Sequence, residues 1–230
     1  MSKHGKKYRK IEKAAPKSAV AIEEAIKFIK AHPAAKFDET LDVYMRLGAD
    51  VTKTDTPVRG TVKLPAGSGK NVKVVVFAGG EHADQARAAG ADFVGLDDMI
   101  EKVMGGWTDF DVAIATTEAM KSVRKCARVL GPRGLMPNPK TGTVTDDPAT
   151  AVKESKAGKV DFRMDKTGNV AIIAGKLSFD VEKLVANVKA VVSAIQAAKP
   201  NSVRGVFIKS LTLASTMGVG VPCVLSTDAE

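Results

Sequence analysis

Between residues 71 and 157 the sequence keeps one rhythm, a short apolar run followed by a stretch with helical spacing. The runs are NVKVVVFAG, ADFVG and DFDVAIATT; the stretches after them are EHADQARAAG, LDDMIEKVMGG and EAMKSVRKCARVLG, with DPATAVKESKAG closing the series. A strand made from Val74, Val75, Val76 and Phe77 has no polar side to show to water, so both of its faces must be covered. Strands that each lead into a helix join as parallel crossover units, because a parallel neighbour is reached only by passing over a face of the sheet. Residues 68–159 are therefore expected to form a small, inserted three-layer α/β domain.

The flanks have a different texture. A helix is expected over residues 18–31, with Ile22, Ala25, Ile26 and Ile29 on one face. In FDETLDVYMRL, Leu41, Val43, Met45 and Leu47 alternate with Thr40, Asp42, Tyr44 and Arg46, the mark of a half-exposed strand. Beyond residue 159 the same texture returns as VDFRM, a turn over residues 165–169, VAIIAG, a helix over 180–198 capped by Ser178 or Asp180, and the strand VFIKSLTLA. Residues 1–67 and 160–230 together are expected to make one discontinuous α+β domain, so the fold class is α/β plus α+β in two domains.

Charge follows the same division. The 230 residues carry 35 Lys and Arg against 26 Asp and Glu, a net charge of +9. Residues 69–159 hold 13 basic and 12 acidic side chains, while the flanks hold 22 and 14. An excess of this kind indicates an anionic partner, nucleic acid or a lipid surface, and places it on the flanking domain. Seven basic residues lie in MSKHGKKYRKIEKAAPK, among them Lys3, Lys6 and Lys7; this segment is either a solvated tail or an arm that follows phosphates. The longest apolar runs, VVVFAGG and VAIIAG, are too short to span a bilayer, and no secretory pattern follows the Lys-rich start, so a soluble, unprocessed chain without a membrane partner is expected. Cys126 and Cys223 stand apart, outside any CxxC or Cys/His cluster, which speaks against a disulfide framework or a zinc site and fits a reducing cytosol.

Enzymatic readings find little support in the motifs. GSGK at residues 67–70 lacks both the first glycine and the final Ser or Thr of a phosphate loop, since Leu64 and Asn71 occupy those places. VFAGGEHADQARAAG lacks the dinucleotide-binding glycine spacing and sets Glu81 where a pyrophosphate would lie. His4, His32 and His82 accompany no nucleophile motif, and the pairs Asp97-Asp98 and Asp146-Asp147 read as charges at helix starts. No cofactor, metal or catalytic residue is expected.

Two loops remain. GPRGLMPNPKTGTVT, residues 131–145, holds three prolines and three glycines with Arg133 and Lys140; it is either a rigid stop to the preceding helix or a preorganised second contact loop. SLTLASTMGVGVP, residues 210–222, is uncharged in a basic chain. The first of these loops and STMGVGV from the second, with AKFDETLDVYMRLG and VRGTVKLPAGSGK, closely resemble the bacterial large-subunit ribosomal protein family called L-one, the universal proteins of the mobile stalk beside the tRNA exit site. The resemblance runs from about residue 5 to residue 225 with the motifs in family order.

The resemblance implies a discontinuous first domain with a Rossmann-like insertion, and binding to a helical and looped region of large-subunit ribosomal RNA. It also implies assistance in releasing deacylated tRNA from the exit site, repression of the protein's own operon mRNA, a monomer off the ribosome, and a cytoplasmic, ribosome-associated location. On the family pattern Lys36, Phe37 and Thr40 act together with residues 210–220. Charges bind any phosphate, whereas discrimination requires close approach to a shallow minor groove and its 2′-hydroxyls. Ser210, Thr212 and either Ser215 or Thr216 would meet those hydroxyls, Met217 would lie against ribose or base, and Gly218 and Gly220 would let the backbone approach. Phe37 could instead belong to the core and Met217 to a packed turn. The chain departs from the family at Val170, Ala171, Ile172 and Ile173, where relatives tend to carry a polar residue, so no RNA contact is expected there. A freestanding RNA-binding regulator and a nucleotide-binding enzyme are the alternative functions.

Overall fold

The computed structural model describes residues 5–49, 58–200, 203 and 205–225. The first flank contains α1 (Lys6–Ala14), α2 (Ile22–Ala31), β1 (Thr40–Leu47) and β2 (Arg59–Lys63). The middle contains β3 (Val74–Phe77), α3 (Glu81–Ala88), β4 (Phe93–Gly95), α4 (Asp97–Met104), β5 (Val112–Ala115), α5 (Met120–Val123), α6 (Ala127–Leu130) and α7 (Pro148–Lys156). The last flank contains β6 (Lys159–Arg163), β7 (Asn169–Lys176), α8 (Val181–Ala197), β8 (Ile208–Ser215) and β9 (Val221–Cys223). These elements, a mixture of helices and sheets, pack as two compact units, one of residues 1–69 with 160–230 and the other of residues 70–159.

In the unit built from both flanks, β7, β1, β8 and β9 lie in that order in a four-stranded sheet, with antiparallel pairing at each step. Leu41, Val43, Met45 and Leu47 on β1, Val170, Ile172 and Ala174 on β7, and Leu211 and Leu213 on β8 are buried on one face. Ala25, Ile26 and Ile29 of α2 and Leu184, Val188, Val191 and Ile195 of α8 complete the same core. Every second strand residue thus faces two helices, and the residues between them face outward. β2 and β6 form a separate two-stranded sheet whose Val62 and Phe162 also join this core.

The other unit is a three-stranded parallel sheet in the order β4-β3-β5. Val74, Val75, Val76 and Phe77 are all wholly buried. Val75 and Phe77 pack with Met99, Ile100 and Val103 of α4 and with Val123, Cys126 and Leu130; Val74 and Val76 pack with Ala86 of α3 and Ala151 and Val152 of α7. The continuous apolar strand is therefore covered on both faces by helices.

Several local expectations change in the fold. Helix α2 begins four residues later than residue 18, because Val20 is held extended against β9: its N–H donates to the Pro222 carbonyl at 3.1 Å, and its own carbonyl accepts the Val224 N–H at 2.9 Å. Residues 6–14 form a helix in which nothing is buried. EAMKSVRKCARVLG is not one helix, since a 3₁₀ turn at Arg124–Cys126 separates α5 from α6, and there Cys126 Sγ donates to the Ile100 carbonyl. Asp180 occupies the N-cap of α8 without a side-chain cap bond, and Ser178 spends its hydroxyl on Asp38. Burial keeps both cysteines as thiols and pushes the Cys223 pKa up to about 11.

A buried amide ties the segment after β2 to this frame. Asn187, wholly buried on α8, accepts the Ala66 N–H at 3.0 Å and donates to the carbonyls of Gly67 at 3.0 Å and Ala174 at 2.6 Å. One side chain thereby joins the chain just before residue 70 to both α8 and β7. Replacing Asn187 with Leu leaves these backbone groups without their partner, at a cost of about 1–3 kcal/mol for each that stays buried and unpaired. The variant is expected to melt several degrees lower, measurable by circular dichroism, whereas the same change at exposed Lys183 on α8 leaves the melting point almost unaltered.

Candidate nucleic-acid interface

The outward residues of the four-stranded sheet form cross-strand rows. Arg46 lies between Asn169 and Ser210, Tyr44 between Ala171 and Thr212, and Asp42 between Ile173 and Ala214; Thr40 lies opposite Lys176. Register shifts at Leu41/Asp42 and Arg46/Leu47 bound the central rows, and the second leaves Lys209 and Ser210 both exposed. Of the seven exposed large hydrophobic residues among the described ones, four belong to this face or its end loops: Phe37, Tyr44, Ile173 and Met217. Apolar groups gathered in one region mark a binding surface more strongly than the same groups scattered.

At one end of the face, residues far apart in sequence meet. The Thr40 N–H donates to Thr216 Oγ1 at 2.9 Å, and the Thr216 N–H donates to the Thr40 carbonyl at 3.1 Å. Lys176 Nζ donates to Thr40 Oγ1 at 3.0 Å and to the Asp38 carbonyl at 3.3 Å. The Asp38 carboxylate accepts the Ser178 N–H at 3.1 Å and its hydroxyl at 2.9 Å. Glu39, only 1% exposed, accepts the Ala35 N–H through Oε1, which fixes the loop carrying Lys36 and Phe37. Its Oε2 has no partner among the described residues. Partial burial pushes the Asp42 carboxyl pKa up, and Lys176 works against that rise; burial and then Asp42 raise that of Tyr44.

The residues singled out in sequence now separate. Lys36, Phe37, Thr40, Thr216 and Met217 share this end of the sheet, and Ser210 and Thr212 lie further along its outer face. Phe37 precedes β1 and is 57% exposed, so it is not a core aromatic; Met217 is 58% exposed, so it is not packed into its turn. Ser215 sits on the inward phase with Leu211 and Leu213, which leaves Thr216 as the outward hydroxyl of the pair. Lys6 and Lys7 are exposed on α1, Lys3 lies outside the described residues, and Arg133 and Lys140 belong to the other unit. Sequence patterns do not single out Asp38, Glu39 or Lys176, and they offer Ser178 only as a helix cap. The adjacency of Asp38 and Glu39 to Lys36 and Phe37 is the available signal, whereas Lys176 and Ser178 enter only through strand pairing.

The glycines of the turn also have an internal purpose. A Cβ on Gly218 would lie 2.2 Å from Ser215 Oγ, and one on Gly220 would lie 3.0 Å from Thr212 Cγ2. Gly218 does not hold a positive φ. Its lack of a side chain therefore makes room for the hydroxyl of its own strand, whatever lies outside. Gly218→Ala is expected to lower stability, and the double change Gly218→Ala with Ser215→Ala to restore most of it, because the Ser215 Cβ would remain at an ordinary 3.5 Å. Thermal melts of the three variants form the cycle that tests this packing.

Among the described residues, no helix is long and apolar enough to cross a membrane, and no group of three or more His, Cys, Asp and Glu side chains could hold a metal ion. The family model described as Ribosomal protein L1p/L10e family matches residues 29–219. Large ribosomal subunit protein uL1 of Corynebacterium glutamicum (strain R) is 52% identical over 222 residues, covering 96% of this chain and 94% of the relative. The uL1 protein of Kosmotoga olearia is 49% identical, covering 96% of each. That of Mycobacteroides abscessus is 52% identical, covering 96% of this chain and 94% of its own. The match spans both units and the whole candidate interface, and it identifies a large-subunit ribosomal protein, not an enzyme: the chain belongs to the Ribosomal protein L1p/L10e family.

Proposed function

We propose that the chain binds ribosomal RNA of the large-subunit stalk through the end of the four-stranded sheet where Thr40 meets Thr216. The mutual bonding of these two threonines carries the reading, because it brings the segment that carries Lys36 and Phe37 and the segment that carries Met217 to one end of the sheet, with all three side chains exposed. Lys36 supplies charge for phosphate, Phe37 and Met217 offer surfaces for base or ribose, and Thr216, Thr212 and Ser210 offer hydroxyls to 2′-OH groups. Lys3, Lys6 and Lys7 add contacts that depend on phosphate alone. Gly218 and Gly220 keep the turn low beside them.

In this reading residues 1–67 with 160–230 form the RNA-binding domain, and residues 68–159 a Rossmann-like domain inserted into it. Gly69 and Gly158, both at positive φ and one at each crossing, support a two-stranded hinge there. The family resemblance supports assistance in the release of deacylated tRNA from the exit site and repression of the protein's own mRNA. It likewise supports a monomeric state off the ribosome and a ribosome-associated, cytoplasmic location.

The test compares stalk ribosomal RNA with a generic RNA duplex at equal salt. Phe37→Ala removes an exposed side chain, so its melting point is expected to match the parent. Base–aromatic stacking contributes about 1–3 kcal/mol per base, so affinity for the stalk RNA is expected to fall roughly tenfold while duplex binding stays constant. Unchanged preference in both Phe37→Ala and Met217→Ala would refute this interface. Sedimentation of the parent chain with large subunits in a sucrose gradient separates a ribosomal role from that of a freestanding regulator.

A further inference from the structure

The middle unit distributes its charge unevenly. Residues 81–111 contain eight acidic and two basic side chains; residues 112–159 contain four acidic and nine basic. Within residues 119–145 there are six basic residues and no acidic one: Lys121, Arg124, Lys125, Arg128, Arg133 and Lys140. All six are exposed. Elsewhere in this unit, Lys70 pairs with Asp111, Lys73 with Asp109, Arg87 with Asp84, Lys156 with Asp92 and Lys159 with Glu154. None of the six has such a partner among the described residues. A near-neutral domain that pairs five of its seven other cations, yet none of the six in one wholly basic segment, keeps that segment free for an external anion.

The placement of the segment is built in. Along the helical run from α5 to α6, Val123, Cys126 and Leu130 are buried, while Lys121, Arg124, Lys125 and Arg128 recur at helical spacing on the opposite side. They make a stripe about 10 Å long at 1.5 Å per residue. The loop that follows is pinned to β5, since Ala115 donates to the Thr143 carbonyl at 2.9 Å and accepts the Thr145 N–H at 3.1 Å. Within it, Asn138 Oδ1 accepts the Lys140 N–H at 2.9 Å and the Asn138 N–H donates to Thr143 Oγ1 at 2.8 Å. Around Arg133 the Gly134 N–H donates to the Gly131 carbonyl at 3.0 Å and the Leu135 N–H to the Leu130 carbonyl at 3.1 Å, so Arg133 and Lys140 both project from bonded backbone and only their side chains have to be ordered on binding.

We infer that Lys121, Arg124, Lys125 and Arg128, extended by Arg133 and Lys140, form a second surface for the RNA phosphodiester backbone, on the unit that lacks the sheet face described above. The stripe has no aromatic or amide group interleaved, so it reads phosphates and not bases. It rests on the proposed RNA-binding function and extends it to the inserted unit. Its occupant is ribosomal RNA, as for the sheet interface; tRNA, which shares this backbone, is the alternative that the test distinguishes.

The full chain with Lys121, Arg124, Lys125 and Arg128 all changed to Gln is titrated against three probes over a range of salt: a stalk ribosomal RNA fragment, deacylated tRNA and poly-glutamate. The slope of log affinity on log salt is expected to fall by about 3 for the stalk fragment, at about 0.7–0.9 for each of the four phosphates that are no longer neutralised. A fall with the stalk fragment supports the assignment to ribosomal RNA, and a fall with tRNA alone overturns it in favour of tRNA. Unchanged slopes with both RNAs overturn the inference, as does a loss confined to poly-glutamate, which would mark an acidic protein partner. Lys125→Glu, a single exposed change, is expected to act in the same direction if the fourfold variant folds poorly. Phe37→Ala run in parallel separates the two readings, because failure of the sheet interface leaves its affinity unchanged whereas failure of the stripe leaves the slopes unchanged.

Discussion

The pairing of β1 with β8 is the constraint on which the larger unit depends. It joins stretches 176 positions apart at the Thr40–Thr216 contact, and the whole middle unit lies in the chain between them. Closing so long a loop carries an entropic cost that rises only slowly with length, and a strand pair buried on one face returns more than that cost. Leu41, Val43, Met45, Leu47, Leu211 and Leu213 supply the burial. Because side chains alternate, the same register that buries these residues turns Thr40, Tyr44, Ser210 and Thr212 outward. The core and the candidate interface are thus two consequences of one register, and a one-residue slip would lose both together.

The uncharged turn in a basic protein makes physical sense in this setting. Phosphate attraction works through water and over distance, so exposed lysines on α1 can serve it without a fixed geometry. Discriminating a folded RNA requires surfaces that come close, with donors and acceptors in set positions. Thr40 and Thr216 hold each other, Glu39 holds the loop before β1, and Ser215 fills the space over Gly218. The edge is rigid because its polar groups are already bonded to one another. That bonding also changes the meaning of the glycines: they accommodate their own strand first, and an RNA would meet a turn that has already been packed.

The middle unit follows a different physical rule. Its central strand is wholly apolar, so stability comes from helices on both faces and leaves no open sheet. Any contact made by this unit must use helix exteriors or loops. The exposed basic run along α5 and α6 meets that condition, as does the loop pinned to Ala115.

Much of this architecture was legible in the sequence. Period-two alternation over Thr40–Leu47 marked a strand with one wet face, because successive side chains must point in opposite directions. The apolar run at Val74–Phe77 required cover on both sides for the same reason. Local signals were weaker at edges: residues 18–21 have helical composition, yet backbone bonds to β9 hold Val20 extended, and tertiary hydrogen bonds outweigh propensities of a few tenths of a kcal/mol. The choice between Ser215 and Thr216 likewise needed the register of β8, which leaves one hydroxyl inside and the next outside. Sequence by itself determined which residues could be apolar faces, turns and charged stretches, since these follow from side-chain chemistry and spacing along the chain. Tertiary structure alone decided that Lys176 and Ser178 meet Asp38 and Thr40, and that Gly218 lies against Ser215, because such meetings depend on strand register and bulges that no local pattern encodes.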